Sequence, residues 1–377
     1  MEIGLYVHIP FCHAKCNYCD FLSFSSNDHM TSYIEALIKE IKAYSMTLKK
    51  EYTIKTIFIG GGTPTVLPPY LFSKLCDAIA LYFNLCNDVE WTVEANPGTL
   101  TKELVHVFKR YPINRVSLGL QAVQDGILQS LGRIHTFDDW RKSISFLLEN
   151  DIFNINTDVM FALPSQKLAD LEHTLISITQ FNIKHLSVYS LIIEEGTPIE
   201  KLYEQGKLIM PSEDEDRKMY HFIQSFLASK GYKQYEISNW AIDEKCCKHN
   251  ILYWKREPYI GIGLGAHSFF EDDRYSNITI LKEYICAQGD LSILQENRET
   301  ITYDKAIEEY MFLGLRLTEG ILIKDFKDKF NQDIFSIYND QLNKWIKFGA
   351  LIQDKGRIYL SDYGIDISNQ VFSSFLQ

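Results

Sequence analysis

The sequence lacks the features that would place it in a membrane or on nucleic acid. It has no run of about 18 apolar residues, the length of a membrane-spanning helix. The first residues, MEIGLYVHIP, have neither the basic start nor the long apolar core of a signal peptide. Acidic residues outnumber basic ones by 49 to 38, and the net charge of -11 argues against a nucleic-acid interface. We therefore expect a cytoplasmic protein that binds no nucleic acid.

Cysteine is also scarce, with eight residues in 377, which are too dispersed for a disulfide framework. Three of them, Cys12, Cys16 and Cys19, nevertheless stand within eight positions, in the segment CHAKCNYCDF. In a reducing compartment such a group more often binds metal or carries out redox chemistry. This group is the first candidate site.

Strand-like and helix-like segments alternate along the first half of the chain. Strands are expected at 4–9, 55–59, 90–94, 115–121, 154–161 and 185–191. The first helix between them has apolar residues at helical spacing, behind polar residues suited to capping. These apolar residues are Met30, Ile34, Leu37, Ile38 and Ile41. Strict alternation predicts parallel strands with right-handed crossovers, and six units predict an α/β fold built as an incomplete (β/α)6 barrel.

Five of the six strands alternate polar and apolar residues, although a parallel strand covered on both faces should be almost wholly apolar. The apolar set must face the helices, so the polar set lines the barrel interior. Unpaired polar groups there would cost roughly 1 to 3 kcal/mol each, which favours a bound ligand. The alternative is an interior satisfied by its own hydrogen bonds and water. The inward polar set is Tyr6, His8, Glu90, Thr92, Glu94, Arg115, Ser117, Gly119, Gln121, Asn154, Asn156, Asp158, His185, Ser187 and Tyr189.

The three cysteines follow the first strand directly, at the barrel end where ligand sites collect. Three thiolates suit an iron–sulfur cluster, and three ligands for four irons leave one iron open to a substrate or cofactor. A zinc site would want a fourth Cys or His. His13 adjoins Cys12 and is poorly placed to bind the same metal, and His8 points off the strand. The pattern therefore favours a [4Fe-4S] cluster held by three cysteines.

A series of motifs makes the chain resemble the radical S-adenosylmethionine (SAM) proteins, whose signature is C-x3-C-x2-C. More narrowly, it is similar to the branch that contains oxygen-independent coproporphyrinogen III oxidase and the haem chaperone HemW. The resemblance covers nearly the whole chain. Its motifs are LYVHIPFCHAKCNYCDF, GGGTPT (60–65), EANPG (94–98), RVSLGLQ with LGRIHT (131–136), DVMFALP (158–164), HNILYW (249–254) and GIGLGAHS (261–268).

The resemblance implies a SAM site whose residues suit that ligand. Glycines let the main chain approach the cofactor closely. Glu94 can accept from the ammonium group, and Arg133 can pair with the carboxylate through two hydrogen bonds. Taken alone, GGGTP would also fit a tight turn, and Arg133 would fit a surface charge. The implied contacts are Tyr6, Gly61, Gly62, Thr63, Glu94, Gln121, Arg133 and Asp158.

Two departures from the oxidase favour the chaperone. The oxidase resembles C-x3-C-x2-C-x-C, whereas Phe21 stands at the fourth cysteine position here. The oxidase also has a longer N-terminal arm, and this chain starts eleven residues before Cys12. The resemblance thus implies a protein that binds haem, a cluster and SAM and passes haem to acceptor apoproteins, membrane-bound respiratory enzymes among them. A radical SAM enzyme acting on a porphyrinogen is the alternative, and a DNA-binding regulator a distant one. Catalytic residues are not assigned, and a homodimer is one of the oligomeric states left open.

The HNILYW segment is associated with haem in the chaperone branch. The resemblance suggests His249 as an axial ligand, with Tyr253 and Trp254 beside it. A histidine in a loop is more often simply solvated. Cys246 and Cys247 could also ligate haem, although nothing in the sequence requires it.

The pattern changes beyond about residue 290. Three helical segments precede IQDKGRIYLSDYGIDI, in which Lys355 and Gly356 predict a turn between short strands. We expect a barrel over 1–285, which includes the 240–270 segment. A small winged-helix-like α+β domain, of the type found in the oxidase branch, is expected over 290–377.

Overall fold

The protein is described by a computed structural model that covers residues 1–48 and 51–376. The strands of this part are β1 (Glu2–Ile9), β2 (Thr53–Gly61), β3 (Leu85–Ala95), β4 (Arg115–Gln121), β5 (Ile155–Phe161), β6 (His185–Ser190), β7 (Lys233–Glu236), β8 (Asn239–Ala241), β9 (Tyr259–Ile262), β10 (His267–Phe270), β11 (Asp273–Asn277), β12 (Gln295–Thr300), β13 (Ile321–Leu322), β14 (Leu351–Asp354) and β15 (Arg357–Leu360).

Helices separate these strands and cover the sheet. They are α1 (Met30–Thr47), α2 (Pro69–Tyr82), α3 (Lys102–Arg110), α4 (Asp125–Ser130), α5 (Phe137–Glu149), α6 (Leu168–Ile178), α7 (Pro198–Glu204), α8 (Glu213–Ser229), α9 (Lys248–Trp254), α10 (Leu281–Ala287), α11 (Leu291–Leu294), α12 (Tyr303–Gly314), α13 (Ile323–Phe330), α14 (Ile334–Lys347), α15 (Asp362–Asp366) and α16 (Ser368–Ser373).

The main sheet confirms the predicted parallel α/β fold. Strands β1 to β6 lie side by side in chain order and are parallel. Strand β9 extends the sheet as a parallel neighbour of β1, while β8 pairs antiparallel with β6. The sheet order therefore runs from β12 at one edge to β7 at the other, as an open and incomplete barrel. All six predicted strands are present, and the short strands β7 to β12 were not predicted.

Helix α1 buries the predicted apolar face. Met30, Ile34, Leu37 and Ile41 are buried, and Ile38 is half-buried. The expected capping is wrong, because His29 occupies the N-cap position and its side chain makes no capping hydrogen bond.

The C-terminal part contains the predicted three helices and hairpin. Helices α12, α13 and α14 precede β14 and β15, which pair antiparallel around the turn at Lys355 and Gly356. Both turn residues have positive φ, of 47° and 76°, as a tight hairpin turn requires. Strand β13 adds a third strand on β15, and α15 and α16 follow the hairpin. These three elements were not predicted.

A buried carboxylate on α1 joins the barrel helices to the segment after β9. Glu40 is fully buried and accepts hydrogen bonds from Gly263 N (3.0 Å), from Asn277 Nδ2 (2.6 Å) and from the Tyr284 hydroxyl. Burial raises the pKa of Glu40 to about 7, although the Tyr284 hydrogen bond opposes the shift. The sequence did not reveal these hydrogen bonds, because the partners of Glu40 come from segments far away along the chain.

We expect Glu40→Gln to remove part of the pH dependence of stability. Because the folded pKa is raised, the contribution of Glu40 is complete below pH 4.5 and declines as the pH rises through about 7. Between pH 5 and pH 8 the wild type should therefore lose roughly 1 to 3 kcal/mol of unfolding free energy through this group. Glutamine does not titrate, so the variant should not show this loss. Denaturant unfolding at both pH values measures this difference. The exposed Glu35→Gln on the same helix is the control, and an unchanged difference for Glu40→Gln would contradict the assignment.

Candidate functional site

The segment that carries Cys12, Cys16 and Cys19, here called the cysteine loop, leaves β1 at its carboxyl end. Main-chain hydrogen bonds hold it in place. Cys12 N donates to Phe24 O (2.9 Å), and Cys19 N donates to Cys16 O (3.3 Å). Asn17 ties the loop to two other segments, because its N donates to Leu131 O (2.9 Å) and its side chain donates to Ser130 O (3.1 Å). The loop is therefore held in place on both sides.

The three thiols form a donor set that fits an iron–sulfur cluster. Burial raises the pKa of Cys12 and raises that of Cys19 to about 11, and the charge of Cys16 adds to both shifts. No group of His, Cys, Asp or Glu side chains in residues 1–48 and 51–376 could hold a single metal ion. Thiols that each bind a different iron do not need to converge on one point, and soft thiolates are the usual cluster ligands. The donor chemistry of three thiols, rather than their observed arrangement, is thus what favours a cluster.

The glycine turn after β2 lies directly against the start of the cysteine loop. Gly62 N donates to Ile9 O (2.9 Å), and Thr63 N donates to Phe11 O (2.7 Å). A Cβ atom at Gly62 would lie 2.6 Å from Phe11 O. Gly61 has φ of 104°, and a Cβ there would lie 2.3 Å from the His8 ring. These two glycines are required by contacts within the chain itself, in addition to any cofactor contact.

Two carboxylates, Glu94 and Asp158, concentrate negative charge in the barrel interior toward the carboxyl ends of the strands, here called the upper layer. Glu94 accepts from Gly61 N (3.0 Å), and its pKa is raised to about 7 by burial and by the nearby charge of Asp158. Burial also raises the pKa of Asp158, which accepts from Asn156 Nδ2 (2.7 Å). Such a site favours a cationic ligand, whose charge would restore both carboxylates to their ionised form.

Arg133 joins the carboxyl ends of β3 and β4 to the cysteine loop. Its Nη2 donates to Asn96 Oδ1 (2.8 Å) and Gly119 O (2.6 Å), and its Nη1 donates to Cys16 Sγ (3.4 Å). Its buried Nε has no hydrogen-bond partner within the described chain. Asn96 in turn donates to Thr63 Oγ1 (2.7 Å). Asn96 was missed by the sequence reasoning, although it lies in the EANPG motif.

Tyr6 and His8 link the first strand to the end of the cysteine loop. The Tyr6 hydroxyl hydrogen-bonds with His8 Nδ1 (2.9 Å), and His8 Nε2 hydrogen-bonds with Leu22 O (2.8 Å). Both ring nitrogens of His8 are thus occupied, in agreement with its exclusion as a zinc ligand. On the opposite side, Tyr189 donates to Gln121 Oε1 (3.3 Å).

One polar cluster in the barrel interior, below Glu94 and Arg133, is held by hydrogen bonds among its own members. Asn156 donates to Ser117 Oγ (2.8 Å) and accepts from Ser187 Oγ (3.2 Å), while His185 Nδ1 hydrogen-bonds with Asn156 Oδ1 (2.6 Å). The alternative of a self-satisfied interior therefore applies to this cluster only, because Thr92 Oγ1 and Arg115 Nε are buried without a hydrogen-bond partner among the described residues. A site for a ligand is left in the upper layer, around Glu94 and Arg133.

The HNILYW segment lies in helix α9 rather than in the loop expected for His249. His249 is only 1% exposed. Its Nδ1 hydrogen-bonds with Thr56 Oγ1 (2.8 Å) and its Nε2 with the Tyr253 hydroxyl (2.8 Å). Burial lowers the pKa of His249 to about 3, so the imidazole is neutral. Both nitrogens are occupied, and haem ligation would require one of these hydrogen bonds to break. Cys247 is also buried, and its thiol contacts Glu90 Oε1 (3.8 Å).

Two family models match the chain. The radical SAM superfamily model matches residues 6–178, which hold the cysteine loop and β1 to β5 without the first residues of β1. The HemN C-terminal domain model matches residues 301–367. Together with the parallel sheet and the three thiols, the first match defines a radical SAM protein, and this class implies a [4Fe-4S] cluster and SAM as cofactors.

Curated relatives narrow the class to one branch. The heme chaperone HemW of Lactococcus lactis subsp. lactis is 36% identical over 98% of this chain and 96% of its own length. The heme chaperone HemW of Bacillus subtilis is 36% identical over 98% of both chains. The chain belongs to the HemW family.

A solved structure agrees with the fold. Coproporphyrinogen III oxidase from Escherichia coli matches with a TM-score of 0.85 over 99% of this chain and 90% of that one, at 20% identity. At this identity the likeness concerns the fold alone. Across residues 1–48 and 51–376, no helix combines the length and apolar character needed to cross a membrane.

We expect Gly62→Ala to disturb the cysteine loop. The added Cβ would approach Phe11 O and Ile9 O, which are backbone atoms that cannot move without shifting Cys12. The free energy of unfolding should fall by about 1 to 3 kcal/mol, and less iron and sulfide should be incorporated on anaerobic reconstitution. Gly126→Ala is the control, since a Cβ there meets nothing within 4 Å. Normal iron content in Gly62→Ala would show that the turn does not set the loop.

Proposed function

We propose that this chain is a haem chaperone, which binds haem together with a [4Fe-4S] cluster and SAM and transfers the haem to acceptor apoproteins. The main support is the near full-length similarity to chains named heme chaperone HemW. The cysteine loop agrees with this proposal, because Phe21 stands where the oxidase pattern has a fourth cysteine. The Phe21 side chain is 60% exposed and lies beside the loop without contributing a ligand atom.

The proposed cluster ligands are Cys12, Cys16 and Cys19. When bound, the cluster would present one open iron to SAM. Arg133 supports this loop from the barrel side by donating to Cys16 Sγ, and Thr63 donates to Cys12 Sγ (3.5 Å). Hydrogen bonds to sulfur stabilise the thiolate form that a metal requires.

The proposed SAM site is the upper layer of the barrel. Glu94 and Asp158 are half-buried acids. Among the described residues no basic side chain hydrogen-bonds to either, although the charge of Arg115 acts on both, so they suit the ammonium and sulfonium charges. Arg133 Nε has no hydrogen-bond partner within the described residues and could serve a carboxylate. Tyr6, Gly61, Gly62, Thr63 and Gln121 complete the proposed set, which thus comes from the ends of β1 to β5 and the segment after α4.

The haem contacts remain a proposal for His249, Tyr253 and Trp254. For His249 to ligate iron through Nε2, Tyr253 would have to release its hydrogen bond.

We also propose a boundary between barrel and C-terminal domain near residues 285–290, and a cytoplasmic location. Acceptors among membrane-bound respiratory enzymes and a homodimeric state are likewise proposed.

The second candidate is a radical enzyme that acts on a porphyrinogen. The fold is compatible with this candidate, because coproporphyrinogen III oxidase shares it with a TM-score of 0.85. The two functions differ in whether a porphyrin product forms.

Single serine replacements test the cluster ligands. Cys12→Ser, Cys16→Ser and Cys19→Ser should each lose most of the iron and sulfide found after anaerobic reconstitution, because each removes the thiolate of one iron. Cys286→Ser is the matched control, since Cys286 is exposed and lies on α10, outside the site. A normal cluster in Cys16→Ser would refute three-cysteine ligation.

One reconstituted sample can separate the chaperone from the oxidase. With SAM and a reductant it should bind haemin and pass it to an apoprotein, and it should not convert coproporphyrinogen III to protoporphyrinogen IX. Phe21→Cys alone should not create that activity, since a misplaced reacting group can cost about a hundredfold in rate. Absorption spectra follow haem, and chromatography follows porphyrin. Formation of protoporphyrinogen IX by the wild type would support the second candidate function. Absence of haemin binding would contradict the chaperone function.

A further inference from the structure

A cavity of about 800 Å³ lies at the carboxyl ends of β5 and β6, beside the proposed SAM site. Phe161 and Leu191 line it where these two strands end, and Tyr189, which donates to Gln121, lines it toward the upper layer of the barrel. Ile365 and Ile367, from the C-terminal part, close the opposite side. Its volume is in the range of small-molecule sites. Its walls are polar and apolar in equal measure, and the polar part includes the acids Glu213, Asp214, Asp216 and Asp366. The cavity is thus large enough for a flat macrocycle.

Two arginines line the cavity, and their partners differ. Arg217 forms ion pairs with Asp216 and with Asp366 Oδ1 (3.3 Å), so its charge is neutralised. Arg316 forms a longer ion pair with Glu236, in which Arg316 Nη2 and Glu236 Oε2 are 3.9 Å apart, too far for a hydrogen bond. The buried Arg316 Nε has no hydrogen-bond partner among the residues described. Burial also lowers the pKa of Arg316. Arg316 therefore has donors available for an anionic group.

The HNILYW motif reaches this cavity through Arg316. The Arg316 guanidinium lies over the Trp254 ring, 4.3 Å from its centroid. Trp254 lines two smaller cavities, of about 250 and 260 Å³, but it does not line the large one. A flat ring below a guanidinium fixes the plane of its donors. Trp254 can thus influence a ligand in the large cavity by orienting Arg316, without contacting the ligand itself.

We infer that Arg316 binds a carboxylate of a flat apolar ligand in this cavity, and that Trp254 is a positioning residue for Arg316. This inference rests on the proposed function, in which the ligand is haem, an apolar macrocycle that carries two propionate groups. It differs from the motif-based assignment, because Trp254 acts through Arg316 rather than by contact with haem. An arginine suits the task, since a guanidinium can offer a carboxylate two parallel hydrogen bonds.

Paired ligands test the carboxylate contact. Haemin and its dimethyl ester share the macrocycle and iron, but the ester lacks the free carboxylates. The wild type should bind haemin at least about tenfold more tightly than the ester. Arg316→Gln should lose this preference while its affinity for the ester stays the same, and Arg316→Lys should retain part of it. A merely structural role would weaken both ligands equally.

The tryptophan variants test positioning, and a second arginine provides the control. Trp254→Leu should reduce the preference for haemin several-fold, whereas Trp254→Phe should keep most of it. Arg298→Gln should change nothing, because Arg298 makes a similar stack on Tyr275 (4.4 Å) but lines a different cavity of about 410 Å³.

The outcomes separate this inference from the proposed function. Haemin binding with an unchanged preference in Arg316→Gln, or with no preference in the wild type, would overturn the inference and leave the chaperone standing. Equal loss of both ligands in Trp254→Leu would remove the positioning role. No haemin binding by the wild type would instead reject the proposed function, and with it this site.

Discussion

The site depends on one main-chain contact, the one between the cysteine loop and the glycine turn after β2. Gly62 N and Thr63 N donate to the carbonyl groups of Ile9 and Phe11, so the residues just before Cys12 are fixed by the neighbouring strand end. Parallel pairing of β1 with β2 brings these two segments to the same edge of the sheet. A side chain at Gly62 would separate them. The position of the first thiol is therefore set by backbone geometry that only glycine allows.

Charge divides the barrel interior into two layers with different uses. In the lower layer, His185 and Asn156 share a hydrogen bond within a cluster that also includes Ser117 and Ser187. In the upper layer, Glu94 and Asp158 repel each other when both are ionised, and Arg133 Nε has no hydrogen-bond partner in the described part of the chain. A protein interior tolerates such groups when a ligand completes them. The same layer borders the large cavity through Tyr189, so the proposed SAM and haem sites adjoin.

The sequence predicted what periodicity and motif order encode. The six parallel strands were placed because each alternates or is apolar over a short run, and the cysteine loop was placed because it follows the first of them. The burial of Glu40 was not predicted, because its hydrogen-bond partners lie on distant segments and the sequence does not identify them. The role of Arg316 was not predicted for the same reason, because it stacks on Trp254, which lies 62 positions earlier in the chain. His249 was expected in a loop, but Glu90, far away in sequence, accepts from His249 N at the start of a helix.

Hydrogen bonds to distant segments of the chain hold the cysteine loop. Asn17 alone connects it to Ser130, to Leu131 and, through its own carbonyl, to Ile199 N (2.9 Å). Ordering a loop of this length costs conformational entropy, and here the fold of the barrel supplies the compensating contacts. The loop that carries the three thiols is thus a preorganised scaffold, whose shape is set by the barrel around it.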